Sequence, residues 1–186
     1  MRRRALLLAG GLSIAALIAP LAAPPPPVLV WNASASAPIG LYLLRPMSRP
    51  VRGALALIRL PSPLARFAAE RGYLPLAPPL IKPVAAGPGQ VVCRTGLVLT
   101  LDHREVGRAL AHDRRGRALP IWQGCRTLAA GEVFVMNPAV GDSFDGRYFG
   151  PLPLTALLGR ARPLWTWSAR IAIPSPPSSS SPGAAS

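Results

Sequence analysis

The spacing of apolar and polar positions changes several times along this chain, and each change predicts a different element. Residues 5–23 are apolar, mildly broken by Ser13, two glycines and Pro20, and so approach the ~20 residues a membrane-spanning helix needs. Pro24, Pro25, Pro26 and Pro27 open a stiff spacer over residues 24–30. The pattern then becomes short-ranged. Leu43-Leu44 and residues 51–60 read as strands punctuated by Pro46, Pro50 and Pro61, and residues 64–71 predict a short helix. A proline-rich connection over 73–79 leads into Leu80-Ile81-Lys82-Pro83-Val84, a β-like apolar run with one charge inside it. Further strands are predicted at 91–93, 97–101 and 131–137, with a turn at 87–90 between the first of these and the lysine strand. Residues 102–117 read as a solvated hairpin or loop. A final strand within 151–170 includes Leu154 to Leu158 and carries Trp165 as a membrane-proximal aromatic, and the Pro/Ser-rich tail over 173–186 cannot bury anything.

Composition sharpens this to a mainly β domain over residues 31–172, because 24 prolines and 17 glycines oppose long helices. Arg2, Arg3 and Arg4 precede the apolar run and would hold residues 1–4 in the cytoplasm, with the domain on the far side of the membrane. The alternative is a cleaved signal peptide. Against it, Ala19 and Ala23 are followed by Pro20 and Pro24, poor residues after a scissile bond. The net charge of +14 invites a nucleic-acid reading, but the arginines are scattered, without aromatic interleaving or a helix-turn-helix pattern. Anionic lipid headgroups are the better match for the excess charge, and no specific nucleic-acid partner is expected.

The chemistry begins at Ser34 and Ser36, small hydroxyl residues placed just after the apolar segment and hence at a membrane surface. A serine becomes a nucleophile when a base lies nearby. Lys82 is the only lysine among 21 Lys and Arg, and arginine cannot release its proton near neutral pH. Burial in its apolar run would lower the lysine pKa and free the amine to accept a proton; the alternative is a snorkelling lysine at a strand end. These residues predict a Ser/Lys dyad. Ser143, Asp145 and Arg147 alternate between glycines, so an extended backbone would place them on one face. There an Asp/Arg pair could fix the loop while Ser143 orients an amine, or the segment is a simple surface turn with a weak ion pair. His103 and His112 lie in the most polar stretch, and neither CxxC nor HExxH spacing accompanies them, so no metal site is expected. Cys93 and Cys125, read as a pair on neighbouring strands, would be bridged in an oxidising compartment, or else be two buried thiols.

At this point the residues resemble a known family, the type I signal peptidases of the S26 class and, within it, the conjugative-transfer TraF-type peptidases. Asn32-x-Ser34-x-Ser36-x-Pro38-x-Gly40-x-Tyr42 resembles the nucleophile box. Lys82-Pro83-Val84-Ala85-Ala86-Gly87-Pro88-Gly89 resembles the lysine box, Pro120 through Gly131-Glu132-Val133-Phe134-Val135 the following segment, and Ser143 to Gly150 the last box. The resemblance implies a signal-peptidase-like β domain behind an N-terminal transmembrane helix, in the bacterial inner membrane and facing the periplasm. Ser36 would be the nucleophile, Lys82 the general base, Ser34 with the Ser36 amide the oxyanion donors, and Ser143 the residue orienting the lysine, while Asp145 and Arg147 hold that loop. No cofactor is implied. Substrates would be exported precursors, foremost a conjugative pilin, with conjugation or secretion machinery as partners. General preprotein processing and a catalytically silent membrane component of a secretion or conjugation assembly are the alternatives. Three positions depart from the family pattern: Gln90 for Asp, Gly53-Ala54 for Gly-Asp, and Gly146 for Ser.

Overall fold

A computed structural model of the chain describes residues 3–4, 9–14, 28–34, 36–73 and 79–167. The predicted anchor over 5–23, apart from a helical piece at 9–14, lies outside the described residues. So do the prolines of the spacer, most of the connection over 73–79 and the tail over 173–186. Among the described residues no helix is long and apolar enough to cross a membrane.

The protein is mainly β. Its strands are β1 (Leu29–Asn32), β2 (Gly40–Arg45), β3 (Leu55–Ile58), β4 (Leu80–Ala86), β5 (Val91–Thr95), β6 (Val98–Leu101), β7 (Arg104–Arg108), β8 (Gly124–Thr127), β9 (Glu132–Val135), β10 (Leu152–Pro153) and β11 (Leu157–Thr166). Two helices interrupt them, α1 (Ser62–Glu70) and α2 (Gly146–Phe149), with a 3-10 turn at Leu154–Ala156. One antiparallel sheet runs β1-β2-β11-β3-β4-β9-β10, and a second runs β7-β6-β5-β8. β4 is central in the first, flanked by β3 and β9, which is why its residues read as an almost unbroken buried run. One core joins that sheet to α1 through Ile58, Leu60, Ala68 and Val133. A second core packs Ala86 and Phe134 of the first sheet against Val92, Leu99 and Leu101 of the other.

Several expectations change. β1 begins at Leu29 and pairs with β2 from Leu29↔Leu43 to Asn32↔Gly40, so residues 29 and 30 leave the spacer. The strand expected over 51–60 is only β3, because a turn precedes it, with Ala54 N donating to Val51 O. Of the two readings of residues 102–117, hairpin or loop, the start is a hairpin, with β7 paired antiparallel to β6. Residues 154–156 are a 3-10 turn, and the final strand starts at Leu157.

Edge strand β8 is exposed along its whole length. It is fastened to β5 where Cys93 and Cys125 stand directly opposite and their sulfurs are bonded. An exposed aromatic group lies on β1 and at the end of β11: Trp31 and Trp167 are 5.4 Å apart, and Trp165 and Trp167 4.8 Å apart.

Gly40 is required where β2 sits between β1 and β11. A Cβ there would fall 2.1 Å from the Trp165 carbonyl oxygen, and φ is +149°. Gly53 also has positive φ (+80°) but open space around it. Gly40→Ala is therefore expected to destabilise the protein by about 3 kcal/mol or more, since backbone must move. Gly53→Ala should cost only the left-handed backbone penalty of about 1 kcal/mol. Denaturant unfolding of both variants checks the difference.

Candidate active site

Lys82 is held by the backbone of a strand that cannot retreat from the core. It pairs with Ala56 in β3 and is 2 % exposed. Its Nζ donates to Ser143 Oγ at 2.6 Å, and among the described residues it belongs to no ion pair. Burial pulls its pKa from 10.5 to about 8; Asp145 and Asp142 push it up, and Arg147 pushes it down. The lysine is not a snorkelling side chain at a strand end.

Ser34 and Ser36 lie on the loop between β1 and β2. Asn32, buried at the end of β1, organises it. Its side-chain nitrogen lies within 2.9–3.1 Å of the carbonyl oxygens of Ser34, Ala37 and Pro38, and its Oδ1 accepts from Ser34 N at 3.2 Å. Tyr42 OH donates to Pro38 O at 2.6 Å. The Ser34 and Ser36 hydroxyls are 3.0 Å apart, and that of Ser34 also reaches Asn32 Oδ1 at 3.2 Å. Ser36 thus hydrogen-bonds to Ser34, and Lys82 to Ser143; both sides open on one cleft of about 560 Å³.

The segment after β9 differs from the expectation of an extended face or a surface turn. Residues 146–149 form helix α2, and Asp145 caps it by accepting from Arg147 N at 3.1 Å. An Asx cap competes with extended structure because the carboxylate satisfies an otherwise orphaned amide. Asp145 and Arg147 are 0 % and 1 % exposed, so their ion pair is buried. Arg147 Nε and Nη2 both donate to the Asp145 carboxylate at 2.9 Å, and the same guanidinium reaches the carbonyls of Asn137, Val140 and Gly141 at 2.6–3.1 Å.

Asn137, at the exit of β9, escaped sequence reasoning. Its N–H donates to Asp145 Oδ2 at 3.0 Å, and its side-chain nitrogen donates to Ser36 O at 2.7 Å. One buried network thus reaches the backbone of the serine loop. Asn137-Pro138 after a strand marks a turn, but nothing local reveals a bond across 101 residues. Arg94 was also missed. It is 1 % exposed, supports Gly96 O and Pro120 O, and donates to Arg147 O at the start of α2.

Two of the three departures from the family pattern, Gln90 and Gly146, have local substitutes, and Gly53 keeps a backbone bond. Gln90 accepts from Gly87 N at 3.0 Å and donates to Asp102 at 2.7 Å. Gly53 N donates to Val84 O at 2.8 Å. At Gly146 a Cβ would fall 2.6 Å from the Phe134 ring, so Phe134 fills the room a serine would take. His103 and His112 are exposed, and among the described residues no group of acidic, His and Cys side chains could hold a metal.

Comparison with known proteins gives a consistent set of relatives. The profile of the "Signal peptidase, peptidase S26" family matches residues 1–167. The chain is 36% identical over 145 residues to "Conjugal transfer protein TraF" of Agrobacterium fabrum, covering 73% of this chain and 81% of that protein. It is 32% identical over 151 residues to "Plasmid transfer protein TraF" of Escherichia coli, covering 73% and 82%. A solved signal peptidase I of Enterococcus faecalis V583 overlaps loosely, at TM-score 0.35 and 18% identity over 61% of this chain and 97% of that one.

Arg147→Met would leave the Asp145 charge buried and unpaired. It is expected to cost about 3–5 kcal/mol, with part of the loss recovered in the double variant with Asp145→Asn. Urea denaturation of the three proteins measures both effects.

Proposed function

The chain belongs to the signal peptidase S26 family, and from that premise we propose that it is a membrane-anchored serine endopeptidase using a Ser36/Lys82 dyad. The observation that carries this is the amine of Lys82: buried, without a carboxylate against it, brought to a pKa of about 8, and opening on the cleft that Ser36 lines. Ser36 Oγ attacks the scissile carbonyl while Lys82 takes its proton, and the same amine then protonates the leaving nitrogen. Ser143 holds Nζ by accepting one of its N–H bonds, leaving the nitrogen lone pair to face the serine once the substrate is seated. The oxyanion is received by the Ser36 N–H and the Ser34 hydroxyl; a donor of this kind typically contributes about 3 kcal/mol.

Relatives carrying the printed names of conjugal and plasmid transfer proteins support a conjugative substrate, and we assign the chain to maturation of a pilin precursor. The apolar run with its arginine flank favours an inner-membrane anchor. The Cys93–Cys125 bond favours a domain in the oxidising periplasm, and Trp31, Trp165 and Trp167 suit an interfacial position beside the bilayer.

Co-expression with a pilin precursor from the same transfer system tests the reading. Ser36→Ala and Lys82→Met should each abolish processing, by at least about 1000-fold, since dyad members act as a unit; processing that persists in both would overturn the dyad. Lys82→Met should also stabilise the fold at pH 7 by about 1–2 kcal/mol, because it removes a poorly solvated charge at the expense of the Ser143 bond. The native pKa lies below the unfolded value, so the wild-type protein gains stability as pH rises from about 8 to 10.5 and the advantage of methionine fades across that window.

The pH dependence of wild-type kcat/KM has a defined sign. Protonated Lys82 cannot accept the serine proton, so the rate rises with pH and levels off above about 8. A profile flat from pH 6 to 9 would remove the lysine from the mechanism.

A further inference from the structure

The cleft that holds Ser36 and Lys82 continues to a cationic wall formed by the loop after β7. Arg114, Arg115 and Arg117 of that loop all line it, together with Arg71 from the end of α1. The wall is built in advance. Asp113 N donates to Arg117 O at 2.9 Å, and Asp113 Oδ1 accepts from the backbone of Arg115 and Arg117 at 2.8 and 2.9 Å. Its other oxygen accepts from Tyr73 OH at 2.6 Å and Arg117 Nε at 2.7 Å, while Arg117 Nη2 donates to Arg71 O at 2.8 Å. The loop is therefore clamped to α1.

Charge in the cleft is unbalanced in a particular way. Its two carboxylates, Asp113 and Asp142, are both committed, the first to Tyr73 and Arg117 and the second to Arg114. Arg117 is held by Asp113, and Arg71 donates to Ala118 O and lies 4.9 Å over the Phe67 ring. Arg115 differs: among the described residues it pairs with no carboxylate, and it is exposed. Arg114 is tied to Asp142 only by an exposed ion pair, which is weak and open to competition. A polypeptide in this cleft meets one uncommitted cation, a second that exchanges readily, and no free carboxylate. Field focused by a concave site strengthens that bias.

We propose that Arg115, assisted by Arg114, binds a carboxylate of the polypeptide substrate, so that the enzyme selects precursors with an acidic residue or a free C-terminus beside the cleavage site and rejects those with a lysine or arginine there. This rests on the peptidase reading and adds its substrate class. A carboxylate suits the wall better than a lipid headgroup because these arginines share the cleft with Ser36, whereas the exposed tryptophans lie on β1 and at the end of β11 and are not among the cleft residues.

The test uses the full chain in detergent micelles and quenched fluorescent alanine-rich peptides that differ only in carrying Glu, Gln or Lys at one position, scanned along both sides of the cleavage point. A matched pair with free and amidated C-termini separates the side-chain source of the carboxylate from the terminal one. At one position, or at the free terminus, the carboxylate peptide should exceed the Gln or amidated peptide about fivefold in kcat/KM, and Glu should exceed Lys by more. The preference should shrink with added salt and reverse in Arg115→Glu. The same ratios in wild type and Arg115→Glu would overturn the proposal. Should Arg115→Glu cleave nothing, Arg115→Gln and the wild-type salt series decide, and a ratio indifferent to both overturns it. Cleavage without any charge preference sinks this inference alone; no cleavage of any peptide, with Ser36→Ala indistinguishable from wild type, sinks the peptidase reading and this inference with it. If Arg115→Glu weakens binding to anionic phosphatidylglycerol vesicles but leaves peptide ratios unchanged, the wall serves lipid and the proposal fails.

Discussion

A lysine amine fixed in a protein core without a carboxylate beside it is the constraint on which this structure turns. Transferring an ammonium out of water disfavours its charged form, and the carboxylates nearby restore it only in part. Asp145 and Asp142 push the Lys82 pKa up, while Arg147, ion-paired to Asp145, pushes it down. Burial then decides the outcome. That burial is enforced by topology: β4 lies between β3 and β9, with Lys82 paired to Ala56 on one side and Val84 to Val135 on the other, so the strand around position 82 cannot swing outward without breaking its ladders.

The segment between β9 and α2 serves both sides of the site. Ser143 receives the lysine amine, and Asn137, six residues earlier in the chain, holds the Ser36 carbonyl. Asp145 and Arg147 tie these two positions together through the Asn137 amide and the carbonyls of Val140 and Gly141. The serine loop has its own clamp in Asn32 and Tyr42. Ser36 is thus held from the first sheet's edge and from the lysine side together, which is the kind of double support that keeps a reactive geometry within a few tenths of an ångström. Arg94 extends the support to the second sheet, where its neighbour Cys93 is bonded to Cys125.

Much of this was legible in the chain. A single lysine inside an apolar run, two hydroxyl residues after a hydrophobic segment, and strands bounded by proline and glycine all announce themselves through local pattern. The family resemblance placed Ser143 near the amine. What the pattern could not supply was the conformation of residues 143–149. Alternating Ser, Asp and Arg suggests an extended face, yet Asp145 caps a helical turn and turns its partner inward, a tertiary choice driven by the carbonyls waiting for Arg147. β8 showed only through Cys125, read as the partner of Cys93 on a neighbouring strand, because its exposed residues carry no period. Asn137 acts on a backbone atom 101 residues away, whereas Asn32 and Tyr42 hold carbonyls of their own loop, and an amide or phenol looks the same in sequence whether or not a carbonyl faces it.

The division between arginine and lysine follows from the same physics. Among the described residues three cations are almost wholly buried: Arg94, Arg147 and Lys82. The two arginines cannot shed their protons, so burial forces them to find carbonyls and carboxylates, and Arg94 and Arg147 each gather several. They are permanent donors and behave as fasteners. Lys82 faces the same desolvation but has another way to relieve it, namely to give up the proton. An arginine at position 82 would need a counter-ion that the surrounding strands do not provide, and it would offer no lone pair to a serine. In a chain whose other cations are all arginine, the one lysine is the buried cation that can give up its proton, and its lack of a carboxylate in contact favours that loss.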